Sequence, residues 1–125
     1  MFVEPRSVVA QLGLVAGMKA ADLGAGVGHF AIPLAQALGS SGKVYAIDIQ
    51  KDLLGKLAES ARKEHVTTIE VIWGDVDEDG GSHLKDEFVD VALFANTMFQ
   101  LEKKESAAHE ARRILKMKGL LAVVD

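Results

Sequence analysis

A chain of 125 residues with 14 Lys and Arg against 18 Asp and Glu carries a formal net charge of −4, and its length suits one domain, since single cores commonly run to about 100–150 residues. Hydrophobic residues make up 49% and charged residues 26%, the balance of a globular chain rather than a disordered one. The absence of cysteine excludes disulfides, thiolate nucleophiles and cysteine metal sites, and the mild acidity argues against a nucleic-acid binder, which wants clustered Lys and Arg. Residues 1–6 lack the basic start and unbroken apolar core of a signal peptide. The apolar stretches fall far short of the roughly 20 residues that cross a bilayer, so a cytoplasmic protein without a membrane span is expected.

In chain order, Val8, Val9 and Leu12 predict a short helix over about residues 5–16. A strand follows at Lys19-Ala20-Ala21-Asp22-Leu23, ended by glycines, and then a helix from near Gly28 with Phe30, Leu34, Ala35 and Leu38 on one face. A second strand, Lys43-Val44-Tyr45-Ala46-Ile47-Asp48, precedes a helix with Leu54, Leu57, Ala58 and Ala61 inward and Lys51, Lys56, Arg62 and Lys63 outward. Ile69-Glu70-Val71-Ile72-Trp73 is a third strand and Val89-Asp90-Val91-Ala92-Leu93-Phe94 a fourth. Ala107, Ala108, Ala111, Ile114 and Leu115 make the stripe of a further helix before a fifth strand, Leu120-Leu121-Ala122-Val123-Val124. Spacings of three and four put the helical residues on one side of a 3.6-residue turn. Strands apolar in succession are those of a parallel sheet covered on both faces. The alternation therefore predicts one α/β domain over residues 1–125, an open parallel sheet with right-handed crossovers. The fifth strand is expected at an edge and apolar on both faces, a surface that a second copy would cover along the strand or the adjacent helices, giving a homodimer.

The most informative stretch is Asp22-Leu23-Gly24-Ala25-Gly26-Val27-Gly28-His29-Phe30, which joins a strand to a helix. Its glycines let the backbone turn sharply and approach a ligand, and the helix start offers free N–H groups. A dinucleotide fingerprint needs G-x-G-x-x-G, whereas His29 stands at the third glycine position and the spacing is G-x-G-x-G. Asp22 stands at the end of the first strand, Asp48 at the end of the second, and Gly74-Asp75 follows the third. A carboxylate at 48 can accept from both hydroxyls of a ribose, and one at 75 from an exocyclic amine, so three acids beside a glycine loop define one crevice.

On these residues the chain resembles the class I S-adenosylmethionine-dependent methyltransferases, most nearly the small-molecule type that includes the ubiquinone and menaquinone biosynthesis enzymes. The resemblance runs from about Gly17 to Asp125 and rests on Asp22-Leu23-Gly24-Ala25-Gly26-Val27-Gly28, Tyr45-Ala46-Ile47-Asp48 and Gly74-Asp75-Val76. It continues through Phe88-Val89-Asp90-Val91-Ala92-Leu93-Phe94-Ala95-Asn96 and Ala111-Arg112-Arg113-Ile114-Leu115-Lys116-Met117-Lys118-Gly119-Leu120, where Met117-Lys118 replaces the usual Pro-Gly. The resemblance implies a Rossmann-like sheet of order 3-2-1-4-5 with helices on both faces, truncated relative to the family's seven strands. It implies S-adenosylmethionine as cofactor, with S-adenosylhomocysteine as product. Gly24, Ala25 and Gly26 would lie against the methionine part, with Leu23 and Gly28 in the same motif. Asp48 and the adjoining Ile49 would meet the ribose, Gly74, Asp75 and Val76 the adenine, and Asp22 and Asn96 the amino-acid end. Trp73 and Phe94 are placed either beside adenine and the methyl donor or in the core. A small apolar or aromatic acceptor is expected over Ala95-Asn96-Thr97-Met98-Phe99, and no general base is named. The rival readings are a non-catalytic cofactor-binding or partner subunit and a nicotinamide-binding protein.

Other constellations are weaker. Asp75-x-Asp77-x-Asp79-Gly80 opens like a calcium loop, but Asp86 stands at the twelfth position in place of Glu, and a strand precedes it. An acidic surface loop accounts for it better. His29, His65, His83 and His109 have no metal-ligand spacing, so no metal is expected, while His29 could face a bound ligand from beside the glycine loop.

Overall fold

The computed structural model describes residues 4–98 and 101–124. Along the chain lie α1 (Pro5–Ala10), β1 (Lys19–Leu23), α2 (Ala31–Leu38), β2 (Lys43–Asp48) and α3 (Lys51–Lys63), then β3 (Ile69–Trp73), β4 (Val89–Ala95), α4 (Lys104–Ile114) and β5 (Leu115–Val124). The strands form one parallel sheet of order β3-β2-β1-β4-β5, as the alternation and the resemblance predict.

The unbroken apolar runs have their cause in two cores, one on each face. Ala20, Val44, Ala46, Val91 and Leu93 face Val9 of α1, Leu34 and Leu38 of α2 and Leu57 of α3. Their sequence neighbours Ala21, Tyr45, Ile47, Ala92 and Phe94 point the other way, against Ala107, Ala111 and Ile114 of α4. β1 and β4 are adjacent, yet the chain leaves them for helices on opposite faces, which opens a crevice between their ends.

Two boundaries differ from expectation. α1 starts as a capped helix should, with the Glu4 carboxylate accepting from the Ser7 N–H at 3.0 Å and Pro5 in the first turn. It stops at Ala10 rather than near 16, and Gly13 then turns the chain at φ +69°, while Leu12 and Leu14 pack on the core from a loop. β5 begins at Leu115, not Leu120: Leu115 pairs with Val89 and Leu120 with Val91, so residues 116–119 bulge opposite Asp90. Leu115, assigned from its spacing to the helical stripe, is therefore the first residue of the strand. Met117, Leu120, Leu121 and Val123 are exposed along β5, as expected of an edge. Phe99, the last residue of the expected acceptor loop, lies outside the described residues.

Candidate cofactor cleft

A cleft of about 390 Å³ lies over the carboxyl ends of β1, β2 and β4, closed on one side by the segment after β3. Its floor is the loop after β1. The Gly24 and Ala25 N–H groups donate to the Ile47 carbonyl at 2.8 and 2.9 Å, which pulls the loop across the end of β2. Gly24 has φ +85°, and a Cβ on it would stand 2.5 Å from Cγ2 of Thr97, which is held in turn by donating to the Ala95 carbonyl at 2.8 Å. Glycine is thus required at 24 for conformation and for space.

Asp48, 8% exposed, ties the loop to the next helix. Its Oδ2 accepts from the Gly26 N–H at 2.8 Å and its Oδ1 from the Gln50 N–H at 2.9 Å. A carboxylate has about four acceptor positions, so two remain for a ligand's hydroxyls. Because these bonds also hold the fold locally, Asp48 has a structural duty besides the ligand-binding one that its spacing suggests.

Asp22 is 1% exposed, and its Oδ2 has no hydrogen-bond partner among the described residues. Burial, and secondarily the negative charge of Asp48, push its pKa up to about 7. A buried carboxylate oxygen without a donor is costly unless a ligand supplies one. At the far end, Asp75 is half-buried and accepts from the Asp77 N–H at 3.2 Å, and hydrogen bonding with the Asp77 side chain raises its pKa.

The cleft brings together Asp22, Gly24, Ala25, Gly26, Asp48, Ile49, Gly74, Asp75, Val76 and Asn96 of the expected residues. Three others do not line it. Leu23 and Phe94 are wholly buried in the core under α4, because strand alternation turns them to that face. Gly28 lies behind the loop at φ +98°, where a Cβ would stand 2.9 Å from Leu57 Cγ, so its role is close packing of α3. Trp73 is also outside: it is 57% exposed, donates from Nε1 to the Ile49 carbonyl at 2.8 Å and carries Lys51 Nζ 3.9 Å above its ring. His29 does line the cleft, from an exposed position. Thr97 lines it from the expected acceptor loop, and Gln50, Leu53 and Leu101 line it from outside the quoted motifs; for Gln50 and Leu53 the available signal was their place at the start of α3, just after the acid-ended strand. The calcium-like spacing yields an acidic surface turn in which Asp75, Asp77 and Glu78 cluster, while the Asp79 side chain is solvent-facing and 3.8 Å from His109 Nδ1.

An arsenite methyltransferase of Halobacterium salinarum is 26% identical over 109 residues, spanning 87% of this chain and 27% of the relative. Among solved structures, an S-adenosylmethionine-dependent methyltransferase from Aquifex aeolicus is 30% identical with a TM-score of 0.86, over 96% of this chain and 62% of that one. An S-adenosylmethionine-dependent O-methyltransferase from Thermotoga maritima shares the fold at 21% identity, with a TM-score of 0.80, over 98% of this chain and 44% of that one. The chain thus spans less than two thirds of the length of these relatives. The sequence profile described as "Methyltransferase domain" matches residues 14–125. That match takes in the glycine loop, the acids at successive strand ends and nearly the whole chain, so the protein belongs to the methyltransferase-domain family, whose cofactor is S-adenosylmethionine.

Proposed function

We propose that the cleft binds S-adenosylmethionine and that the protein transfers its methyl group to a small-molecule acceptor. The observation that carries this reading is the buried, donor-less oxygen of Asp22 beside the glycine floor, which fits the ammonium at the ligand's amino-acid end. Gly24, Ala25 and Gly26 leave room for the methionine chain, and the free acceptor positions of Asp48 face the ribose. Ile49 and residues 74–76 form the adenine wall, and Asn96, at φ +55° after β4, stands at the methionine side.

Bound S-adenosylmethionine supplies an already activated methyl group, so the work of the chain is placement rather than proton transfer. The loop after β4 is the floor for an acceptor: Ala95, Asn96 and Thr97 line the cleft, and the Thr97 hydroxyl fixes the turn. A net charge of −4 suits a small apolar or aromatic acceptor better than RNA.

Calorimetry with S-adenosylhomocysteine tests the cofactor assignment. Asp48→Ala removes an acceptor for two hydroxyls, each worth about 1.5–3 kcal/mol to a charged partner, so affinity should fall roughly a hundredfold or more. Unchanged affinity, or binding of NADH instead, overturns the assignment. A panel of acceptors with labelled cofactor tests the transfer. Labelling of RNA alone defeats the small-molecule reading, and binding without turnover on any acceptor assigns a non-catalytic subunit.

The exposed apolar residues of β5 support pairing with a second copy along that edge. Among the described residues no helix is long and apolar enough to cross a membrane.

A further inference from the structure

We propose that Glu110, together with Arg113, is a positioning residue for the adenine end of the cleft; this rests on the reading that residues 74–76 face adenine. Glu110 sits in the buried stripe of α4 with no exposed surface. Its Oε1 accepts from the Gly80 N–H at 2.9 Å and from Arg113 Nε at 2.8 Å. Its Oε2 accepts from the Ser82 N–H at 3.1 Å, the Ser82 hydroxyl at 2.7 Å and Arg113 Nη2 at 2.7 Å. Arg113 extends the grip by donating to the Leu84 carbonyl at 2.7 Å and to Asp86 at 2.6 Å.

What these bonds hold is the returning leg of the β3–β4 connection, a stretch without a helix of its own. Between the two anchored residues lies Gly81, backbone against backbone with the outgoing leg. A Cβ on Gly81 would run into the Asp75 carbonyl oxygen, and one on Gly74 into the Gly81 carbonyl oxygen. The outgoing leg is itself pinned, since the Gly74 N–H donates to the Asp48 carbonyl at 3.1 Å. A carboxylate on α4 thus sets, through one glycine, where Gly74 and Asp75 stand at the cleft. A charge so buried is expensive unless fully paired, and here the pairing reaches across the structure to the ligand wall rather than closing on itself.

The test measures ligand ratios rather than a single affinity. Calorimetry is run on wild type, Glu110→Gln and Ser82→Ala with three ligands. These are S-adenosylhomocysteine, S-inosylhomocysteine (a carbonyl in place of the exocyclic amine) and 5′-methylthioadenosine (no amino-acid end). Wild type should prefer the adenosyl over the inosyl compound by about tenfold or more, the loss expected for one hydrogen bond to a charged acceptor. In Glu110→Gln the amide nitrogen faces donors, and the preference should fall about fivefold, a coupling typical of positioning groups. The preference for S-adenosylhomocysteine over methylthioadenosine should stay within about twofold, because the methionine side is untouched. Ser82→Ala removes one donor and should move the first ratio the same way by less; it decides the matter if Glu110→Gln does not fold. No adenine preference in wild type overturns the adenine reading itself. A preference that wild type shows and the folded variants retain overturns the positioning role, and so does a parallel fall in both ratios.

Discussion

Replacing Asp22 by Asn should stabilise the ligand-free protein, increasingly so with rising pH. The side chain is 1% exposed with an oxygen lacking a donor, and its pKa stands at about 7 against 3.8 for an ordinary Asp. Below about pH 4 the carboxyl is protonated in both folded and unfolded chains, and titration costs nothing. Between about 4 and 7 the unfolded chain gives up its proton while the folded chain retains it, so stability falls as pH rises. Above about 7 both states are ionised and the cost is complete. About three pH units at 1.36 kcal/mol each is roughly 4 kcal/mol in full, of which about 3 kcal/mol develops between pH 5 and pH 8. That is a large part of the 5–15 kcal/mol stability of a typical domain. Asn has nearly the same shape and no charge at any pH in this range. Urea unfolding of both proteins at pH 5 and pH 8 isolates the effect, because the other titrating groups cancel in the difference. The advantage of Asn over Asp should grow by about 3 kcal/mol between the two pH values. A difference that stays constant within about 0.5 kcal/mol refutes the reasoning. The same variant should bind S-adenosylhomocysteine more weakly at pH 8, since the destabilising charge is the one offered to the ligand's ammonium.

Gly24→Ala should abolish detectable cofactor binding by driving Thr97 off the loop; adding Thr97→Ala, which removes the atoms 2.5 and 2.8 Å from the new Cβ, should recover part of the affinity by calorimetry, and strict additivity would argue against the clash. Gly28→Ala combines φ +98° with a Cβ 2.9 Å from Leu57 and should destabilise by about 2–4 kcal/mol in chemical denaturation, with a change below about 0.5 kcal/mol contradicting it. Val123→Lys, on the exposed edge of β5, should shift the protein from dimer to monomer by light scattering, and a monodisperse wild-type monomer at tens of micromolar would sink the pairing.

The strands at 19–23, 43–48 and 69–73 were legible to the residue because each is an apolar run bounded by glycine, acid or turn residues. The start of β5 was not, since Leu115 satisfies the i, i+4 spacing of α4 from Ala111 and only long-range pairing with Val89 assigns it to the sheet. For the cleft, the glycine loop and the acids at strand ends announced themselves by position. Leu23 sits beside binding residues in the chain but points to the opposite face of the strand, and for Phe94 the same alternation selects the core, one of the two placements its position allowed. Glu110 left a fainter trace, a carboxylate three residues after Ala107 and four before Ile114, inside an apolar stripe with an Arg three positions on. That pattern signals a buried ion pair, but its partners Gly80 and Ser82 lie some 30 residues away and are joined to it only by the fold.

The bulge at residues 116–119 limits what the outer edge of the sheet can accept. With four residues crowded opposite Asp90, regular pairing between β4 and β5 resumes only at Leu120 and runs through Val124. A newcomer, whether a second copy or any other strand, therefore finds regular backbone from Leu120 onward rather than from the start of β5 at Leu115. The register of a strand that pairs there is chosen by side chains that mesh with the exposed Leu120, Leu121 and Val123. The irregular stretch acts as a stop at one end of that regular backbone, favouring a matched neighbour over indiscriminate strand stacking.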